Sequence, residues 1–272
     1  MLLPRRIIWV NGLPRSGTSW LCQIIDSSPQ VAFRMAPLFS WQFRDRMRID
    51  DDDIAWSLFF KEVYRTNDAW MLQTERRKSG LFPSFASKQV HPGVLVVKDV
   101  RHHDYIPRLL QLPIDFHVVH IIRDPRAAIC SWLTDPKQFP ATADTLVHWR
   151  SGAVRKISPH EFWGFEDWKK LTAYYLRAKE EHPDRVHLVR FEELAADPLR
   201  WGRALYEELG LEWSDQTEAF IQNSTSAHAS DPSSVVKARS VMWRWKTDLP
   251  TTIAAQIEAD LAGTLLARYI GP

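Results

Sequence analysis

The sequence predicts an α/β fold in three layers, α/β/α, with helices covering both faces of a central, mostly parallel sheet. The run from Ile7 to Val10 is apolar at every position, which is typical of a parallel strand buried on both faces. A glycine-containing loop and a helical pattern of apolar residues, from about Thr18 to Asp26, follow it directly. The same order of strand and helix returns later in the chain. This alternation indicates a doubly wound sheet.

The remaining elements follow, in chain order, from the same kinds of signal. Short apolar runs predict strands at Val31 to Phe33, Val94 to Val97, Phe116 to Ile122 and Val186 to Val189. Capping and breaking residues predict helices after Asp50 to Asp53, from Arg126 to Trp132, from Lys169 to Glu181 and from Pro198 to Gly210. A last helix carries an apolar residue every four positions, at Ile253, Ile257, Leu261 and Leu265, and is predicted to pack on the core.

The amino-acid composition is that of an ordinary globular protein. With 272 residues, 45% hydrophobic and 25% charged, it is predicted to be a single globular domain over residues 1–272. No apolar run approaches the roughly 20 residues of a membrane helix, and no basic-then-apolar leader opens the chain. The net charge of +2 gives no sign of a nucleic-acid partner. Its two cysteines, Cys22 and Cys130, suggest neither disulfides nor a metal site, so a soluble, cytoplasmic protein is expected.

The loop after the first strand has the features of an anion-binding site. Gly12 and Gly17 let the backbone curl so that its N–H groups point inward beside the first turn of a helix. The common phosphate loop reads G-x-x-x-x-G-K-[ST], but Thr18 stands where the lysine is expected, before the hydroxyl of Ser19. The cation of this loop is Arg15, three positions earlier.

The run from Pro14 to Trp20 resembles the 5′-phosphosulfate loop of the sulfotransferases that use 3′-phosphoadenosine 5′-phosphosulfate (PAPS) as donor. That family carries P-[KR]-[SA]-G-[TS]-[ST]-W at this position and has a fold like that of the P-loop NTPases. The resemblance implies that the donor is bound by Pro14, Arg15, Ser16, Gly17, Thr18, Ser19 and Trp20. Arg15 is also expected to act in catalysis.

A second strand end resembles the family's 3′-phosphate motif. Arg123 ends the fourth predicted strand, Asp124 and Pro125 start the next helix, and Ser131 lies eight residues after Arg123. An arginine at the strand tip and a hydroxyl two turns along the helix are placed to converge on one anion. The resemblance therefore assigns the 3′-phosphate to Arg123 and Ser131.

Two further segments resemble parts of the donor site. Arg190-Phe191-Glu192-Glu193-Leu194, with Asp197-Pro198, is similar to the family's [RY]-[YF]-E-[DE]-[LM]-x-x-[DE]-P, which implies that Phe191 lies near the adenine, opposite Trp20. Arg239 and the later pair Trp245-Lys246 resemble the basic loop that closes over the 3′-phosphate in the family, although the family's R-K-G triplet is absent.

Polar residues at the end of the third predicted strand are candidates for catalysis. Lys98 is expected to polarise the leaving or transferring oxygens, and the acceptor hydroxyl needs a base. Many relatives have a histidine two residues after this lysine, where this chain has Val100. The candidates for the base are Asp99, His102 and His103. Asp99 ranks first because the sheet holds it most rigidly, and His102 ranks second.

Residues 34–90 contain one convincing helix among irregular segments and are predicted to form an acceptor-binding lid within the domain. Their aromatic residues are equally compatible with roles as core anchors. They include Trp41, Phe43, Trp56, Phe60, Trp70, Phe82 and Phe85.

Together these motifs predict an enzyme that transfers a sulfuryl group from PAPS to a hydroxyl or amine of a small molecule or glycan and releases PAP, without a metal ion. One alternative is a P-loop kinase or other nucleotide phosphotransferase, which Thr18 in the lysine position disfavours. Another is a non-catalytic protein that binds PAP. The sequence leaves the acceptor and the oligomeric state open.

Overall fold

The structure is a computed structural model that describes residues 4–226 and 242–271. Its strands are β1 (Arg6–Asn11), β2 (Val31–Met35), β3 (Val94–Lys98), β4 (Phe116–Ile122) and β5 (Val186–Arg190). They form one sheet in the order β2-β3-β1-β4-β5, and every neighbouring pair is parallel. The predicted α/β fold with a central parallel sheet is confirmed.

The α-helices of the described chain cover the sheet and its edges. They are α1 (Thr18–Asp26), α2 (Asp53–Arg65), α3 (Thr74–Lys78), α4 (Ile106–Leu109), α5 (Pro125–Leu133), α6 (Thr145–His148), α7 (Gly164–Glu181), α8 (Phe191–Ala196), α9 (Pro198–Leu209), α10 (Asp215–Ser226), α11 (Trp245–Asp248) and α12 (Thr251–Leu261).

Local signals located most of these elements, and two differences have clear causes. Helix α7 begins at Gly164 rather than at the predicted Lys169. The carboxylate of Asp167 accepts a hydrogen bond from the backbone N–H of Trp163 at 2.8 Å and so supports the earlier start. Helix α12 ends at Leu261, and Gly263 follows with φ of 72°. The prediction that Leu265 packs on the core with this helix was therefore wrong, because the side chain is 79% exposed.

The core lies on both faces of the sheet, since alternate residues of β1 point to opposite sides. On one face the buried Trp9 packs edge-on against Phe60 of α2, with 6.5 Å between ring centroids, and lies 6.3 Å from Phe116 of β4. On the other face Ile8 shares a buried cluster with residues of α1 and α9, including Tyr206. This packing holds the strand ends, where the predicted site residues lie, in fixed positions.

The aromatic residues of segment 34–90 differ in burial, and Phe85 is partly buried against the core. Phe43, Trp56, Phe60 and Phe82 are buried and act as core anchors. Trp41 is 84% exposed and Trp70 is 42% exposed. The acceptor lid stays a prediction.

Over residues 4–226 and 242–271, no helix has both the length and the apolar character needed to cross a membrane. Cys22 and Cys130 are buried and not joined in a disulfide. The cytoplasmic location expected from them stays a prediction.

Candidate functional site at the carboxyl edge of the sheet

The glycine loop lies between β1 and α1 at the carboxyl edge of the sheet. Gly17 has φ of 93° and Arg15 has φ of 76°, so the backbone reverses within the loop. The N–H of Ser16 donates to the carbonyl of Leu13 at 3.1 Å and closes the turn. Gly12 lies so close to β4 that a Cβ there would sit 2.7 Å from the carbonyl oxygen of Ile121. Among the residues that the structure describes, no side chain caps the N-terminus of α1, a helix of nine residues whose positive end is suited to an anion.

Arg15 and Ser131, from separate sequence motifs, meet beside this loop. The Nε of Arg15 donates to the Oγ of Ser131 at 3.2 Å, and its Nη1 lies 3.2 Å from Oδ2 of the buried Asp135. The Nη1 of Arg123 in turn donates to the carbonyl oxygen of Arg15 at 2.9 Å. The structure thus brings together the two groups that the sequence assigned to the two ends of one donor.

Arg123 is held at the tip of β4 by surrounding aromatic residues. Its carbonyl accepts a hydrogen bond from Nε1 of Trp168 at 2.9 Å, and its guanidinium lies 4.6 Å from the ring centroid of Phe191. Burial lowers the pKa of Arg123 to about 10, although the nearby carboxylate of Glu192 opposes this change. The arginine therefore stays charged near neutral pH, in a place where water screens its charge little.

Phe191 and Trp20 lie beside the loop as an edge-to-face pair, with 6.2 Å between ring centroids. Nε1 of Trp20 donates to Oγ of Ser224 at 2.9 Å, which fixes the indole. Phe191 is mostly buried and packs directly on Gly17, where a Cβ would come within 2.5 Å of Cδ2 of the ring. The pair is close to the predicted phosphate sites, and its role at the adenine stays a prediction.

The start of α5 ties the second motif to the C-terminal segment. Asp124 caps the helix by accepting from the backbone N–H of Arg126 at 2.9 Å, and it forms an ion pair with the guanidinium of the same arginine at 2.7 Å. That buried guanidinium also donates to the carbonyl of Gly271 and pairs with Glu258 of α12. Arg126 is therefore a structural residue that holds α12 against the site.

Lys98 ends β3 at the same edge, with its side chain partly buried. Its ammonium lies 3.9 Å from the sulfur of Met35, and in the described chain no carboxylate lies within ion-pair distance. Burial lowers the pKa of Lys98, opposed by Cys22 and Asp99. An ammonium without a carboxylate partner is available to an anionic ligand.

Asp99 and His102 form a buried pair behind Lys98. The side chain of Asp99 is fully buried, accepts from the backbone N–H of Arg101 at 2.8 Å and lies 2.9 Å from Nδ1 of His102. Burial is the largest single influence and opposes the charge of each partner, but it is outweighed by their mutual attraction together with Arg101 beside Asp99 and Asp104 near His102. The pKa of Asp99 is therefore lowered and that of His102 is raised.

His103 lies deeper and belongs to a buried network of polar side chains. Its Nδ1 lies 2.8 Å from the hydroxyl of Tyr175, to which Nδ2 of Asn11 donates at 2.6 Å, and Asn11 Oδ1 lies 2.7 Å from Nδ1 of His120. Burial lowers the pKa of His103 to about 3, so the ring is neutral. These contacts give His103 a structural environment, while its predicted role in catalysis stays untested.

Other parts of the site differ in how much the sequence revealed about them. The sequence analysis did not predict four residues of the site, Asn11, His120, Asp135 and Tyr175. Of these, only Asp135 had a usable signal, because it lies four residues after Ser131 and so near the same helix face. Arg239, assigned to the 3′-phosphate by resemblance, lies outside the described residues.

Comparison with known proteins identifies the family of this chain. The model of a family described as "Sulfotransferase family" matches residues 8–215. Carbohydrate sulfotransferase 3 of Rattus norvegicus is 27% identical over 62% of this chain and 36% of its own length. Carbohydrate sulfotransferase 6 of Homo sapiens is 30% identical over 63% of this chain and 46% of its own length.

Solved structures share the fold at low sequence identity. A mouse sulfotransferase in complex with PAP superposes with a TM-score of 0.55 at 15% identity, covering 98% of this chain and 88% of that one. The sulfotransferase domain from the curacin biosynthetic pathway gives a TM-score of 0.53 at 14% identity, covering 96% of this chain and 99% of that one. The chain spans less than half the length of the two curated relatives named above. Since the family model covers most of its residues, this chain belongs to the sulfotransferase family.

Proposed function

We propose that this chain transfers a sulfuryl group from PAPS to a hydroxyl group of a carbohydrate and releases PAP. The observation that carries the proposal is the contact of Arg15 with both Ser131 and Arg123 at the carboxyl edge of the sheet. A donor with anionic groups at its 5′ and 3′ positions requires two such cationic groups close together. The family match supports the donor, and the names of the two curated relatives support a carbohydrate as acceptor.

In this proposal the glycine loop holds the 5′-phosphosulfate. The open N-terminus of α1 and the guanidinium of Arg15 provide donors and positive charge, with the hydroxyls of Thr18 and Ser19 beside them. Arg123 and Ser131 hold the 3′-phosphate, and the ring of Phe191 lies next to them for the adenine. Arg15 is thus the group that stabilises charge as the sulfuryl group leaves.

The reaction itself requires one bond exchange and one proton transfer. The acceptor oxygen forms a bond to sulfur while the bond from sulfur to the 5′-phosphate oxygen breaks, and PAP leaves with the electron pair. Lys98 supports the charge that develops on the phosphate oxygen, since no carboxylate of the described chain neutralises its ammonium. Positioning and electrostatic support of this kind account for most catalysis of group transfer between oxygens.

We assign the proton transfer to His102, which reverses the order given by the sequence alone. Asp99 is fully buried and already bonded to Arg101 and His102, so an acceptor hydroxyl has no direct path to it. It positions His102 by fixing Nδ1, which leaves Nε2 as the basic atom. Among residues 4–226 and 242–271, no group forms a hydrogen bond with Nε2.

The first experiment separates the donor classes by binding. PAP at about 100 times its Kd should stabilise the protein by about 2.7 kcal/mol, whereas ATP with Mg²⁺ should do little. Arg123→Ala should weaken PAP binding by about 1.5–3 kcal/mol because a charge-assisted contact is lost. Arg150→Ala is the matched control, since that arginine pairs with Glu166 and Asp260 at the surface. Equal stabilisation by ATP and PAP would contradict the assigned donor.

The second experiment tests turnover. Arg15→Ala should lower kcat by on the order of 10²-fold or more, as expected when a hydrogen-bond donor that stabilises the transition state is removed. Transfer is measured by mass spectrometry, as the gain of one sulfuryl group on a carbohydrate incubated with enzyme and PAPS. If PAP binds normally and no acceptor gains mass, the chain is a PAP-binding protein without this activity.

A further inference from the structure

Two exposed aromatic rings lie next to the catalytic edge of the sheet. Phe39 ends the short turn after β2, and Trp70 lies on the neighbouring segment; their ring centroids are 6.0 Å apart and their planes are inclined by 49°. Each side chain is 42% exposed. We call this pair the aromatic platform. Large apolar groups that stay exposed together beside a site are typical of a surface that binds a ligand.

Backbone hydrogen bonds attach both sides of the platform to the end of the sheet. The N–H of Ala36 donates to the carbonyl of Lys98 at 2.7 Å, and the N–H of Phe39 donates to the carbonyl of Ala36 at 3.0 Å. On the other side, the N–H of Met35 donates to the carbonyl of Met71, the residue after Trp70, at 2.9 Å. The platform is therefore a fixed feature at the end of β2 and β3.

A side chain also links the platform to the proposed base. The guanidinium of Arg101 lies 3.8 Å from the ring centroid of Phe39, and the same group pairs with the buried Glu161 at 3.2 Å. Arg101 immediately precedes His102, so their Cα atoms are about 3.8 Å apart. The platform therefore packs against the side chain of the residue that precedes the proposed base.

We propose that Phe39 and Trp70 form the stacking surface for the pyranose ring of the acceptor. The inference rests on the proposed function and names the residues that select its acceptor. One face of a pyranose is lined with C–H groups and stacks on an aromatic ring, while its hydroxyls stay free to bond polar groups. The platform supplies the apolar surface for stacking, and the polar residues behind it supply the groups that act in the transfer.

Trp41 provides a matched control within the same segment. It is the more exposed tryptophan, at 84%, and the guanidinium of Arg44 covers its ring at 4.4 Å from the centroid. No ring contact joins it to Phe39 or Trp70 in the described chain. Loss of Trp41 therefore removes an exposed indole without touching the platform.

The experiment compares Phe39→Ala, Trp70→Ala and Trp41→Ala with the parent chain. Each is assayed with labelled PAPS and two probes, a tetrasaccharide of N-acetylglucosamine and one of galactose, and PAP affinity is measured by calorimetry. We expect both platform variants to raise the KM for the better probe about tenfold, which corresponds to about 1.4 kcal/mol. Their kcat and PAP affinity should stay within about twofold of the parent, as should every value for Trp41→Ala.

The outcomes distinguish this inference from the proposed function. Unchanged KM values in both platform variants, with an active parent enzyme, would overturn the platform and leave the function intact. An equal rise in KM for Trp41→Ala would also overturn it, since the effect would then follow loss of any exposed aromatic residue. If the parent sulfates 2-naphthol but neither sugar, the carbohydrate acceptor and the platform both fail while the donor assignment stands.

Discussion

The packing of Phe191 against the glycine loop makes Gly17→Ala a quantitative test of the site. A Cβ at Gly17 would lie 2.5 Å from Cδ2 and 2.6 Å from Cε2 of Phe191, whereas carbon atoms in contact sit about 3.5–4.0 Å apart. The ring must therefore move by about 1 Å, which changes its contacts with Arg123 and Trp20. Such overpacking costs about 1–3 kcal/mol. The left-handed backbone, with φ of 93°, costs any residue with a Cβ roughly another 1–2 kcal/mol.

Two other glycines separate the cost of overpacking from the cost of the left-handed backbone. Gly80 and Gly263 have φ of 75° and 72°, and a Cβ at either position meets no atom of the described residues within 4 Å. Gly80→Ala and Gly263→Ala should therefore show only the backbone cost, about 1–2 kcal/mol, while Gly17→Ala should lose about 2–5 kcal/mol. At about 2–4 °C per kcal/mol, the extra loss is measurable as a fall in Tm. Gly17→Ala alone should also weaken PAP binding in calorimetry.

The reasoning is refuted if Gly17→Ala destabilises the protein no more than the two control variants, because Phe191 would then not be held against the loop. The double variant Gly17→Ala/Phe191→Ala provides a second check. Because the collision disappears with the ring, the two substitutions should cost less together than the sum of their separate effects, by an interaction of about 1–3 kcal/mol.

Three further predictions concern the base, the C-terminal contact and the core. The kcat/KM should rise with pH through the raised pKa of His102, because only the neutral ring accepts a proton. Asp99→Asn should move this rise to lower pH and reduce kcat by on the order of 10²-fold, because the carboxylate that raises the pKa is lost. An unshifted pH profile would contradict the pairing of Asp99 with His102. Arg126→Met leaves a buried carboxylate without its partner and should cost about 3–5 kcal/mol in urea unfolding, far more than exposed charge substitutions do. Trp56→Ala should cost about 3–5 kcal/mol through a core cavity, whereas Trp41→Ala should stay within about 0.5 kcal/mol; equal costs would contradict their assigned burial.

The sequence alone determined the elements and motifs, because their signals are local. The apolar run of β4 predicted its bounds, Phe116–Ile122, and the Asp124-Pro125 pair predicted the start of α5. The resemblance of the run from Pro14 to Trp20 to the family's 5′-phosphosulfate loop indicated the donor class before any contact was known. Each of these inferences depends on residues close together in the chain.

Only the tertiary structure decided which of these residues meet and how each is buried. Arg15 and Ser131 lie 116 residues apart in the chain, yet the parallel strands carry both to one edge of the sheet. Our proposal to rank His102 before Asp99 as the base rests on the full burial of Asp99 behind its partner, which no local pattern predicts. Burial also assigned Trp56 to the core and left Trp70 at the surface, although both occur in the same aromatic-rich segment. Burial and charge environment depend on what packs around a residue, and neighbours distant in the chain supply most of that packing.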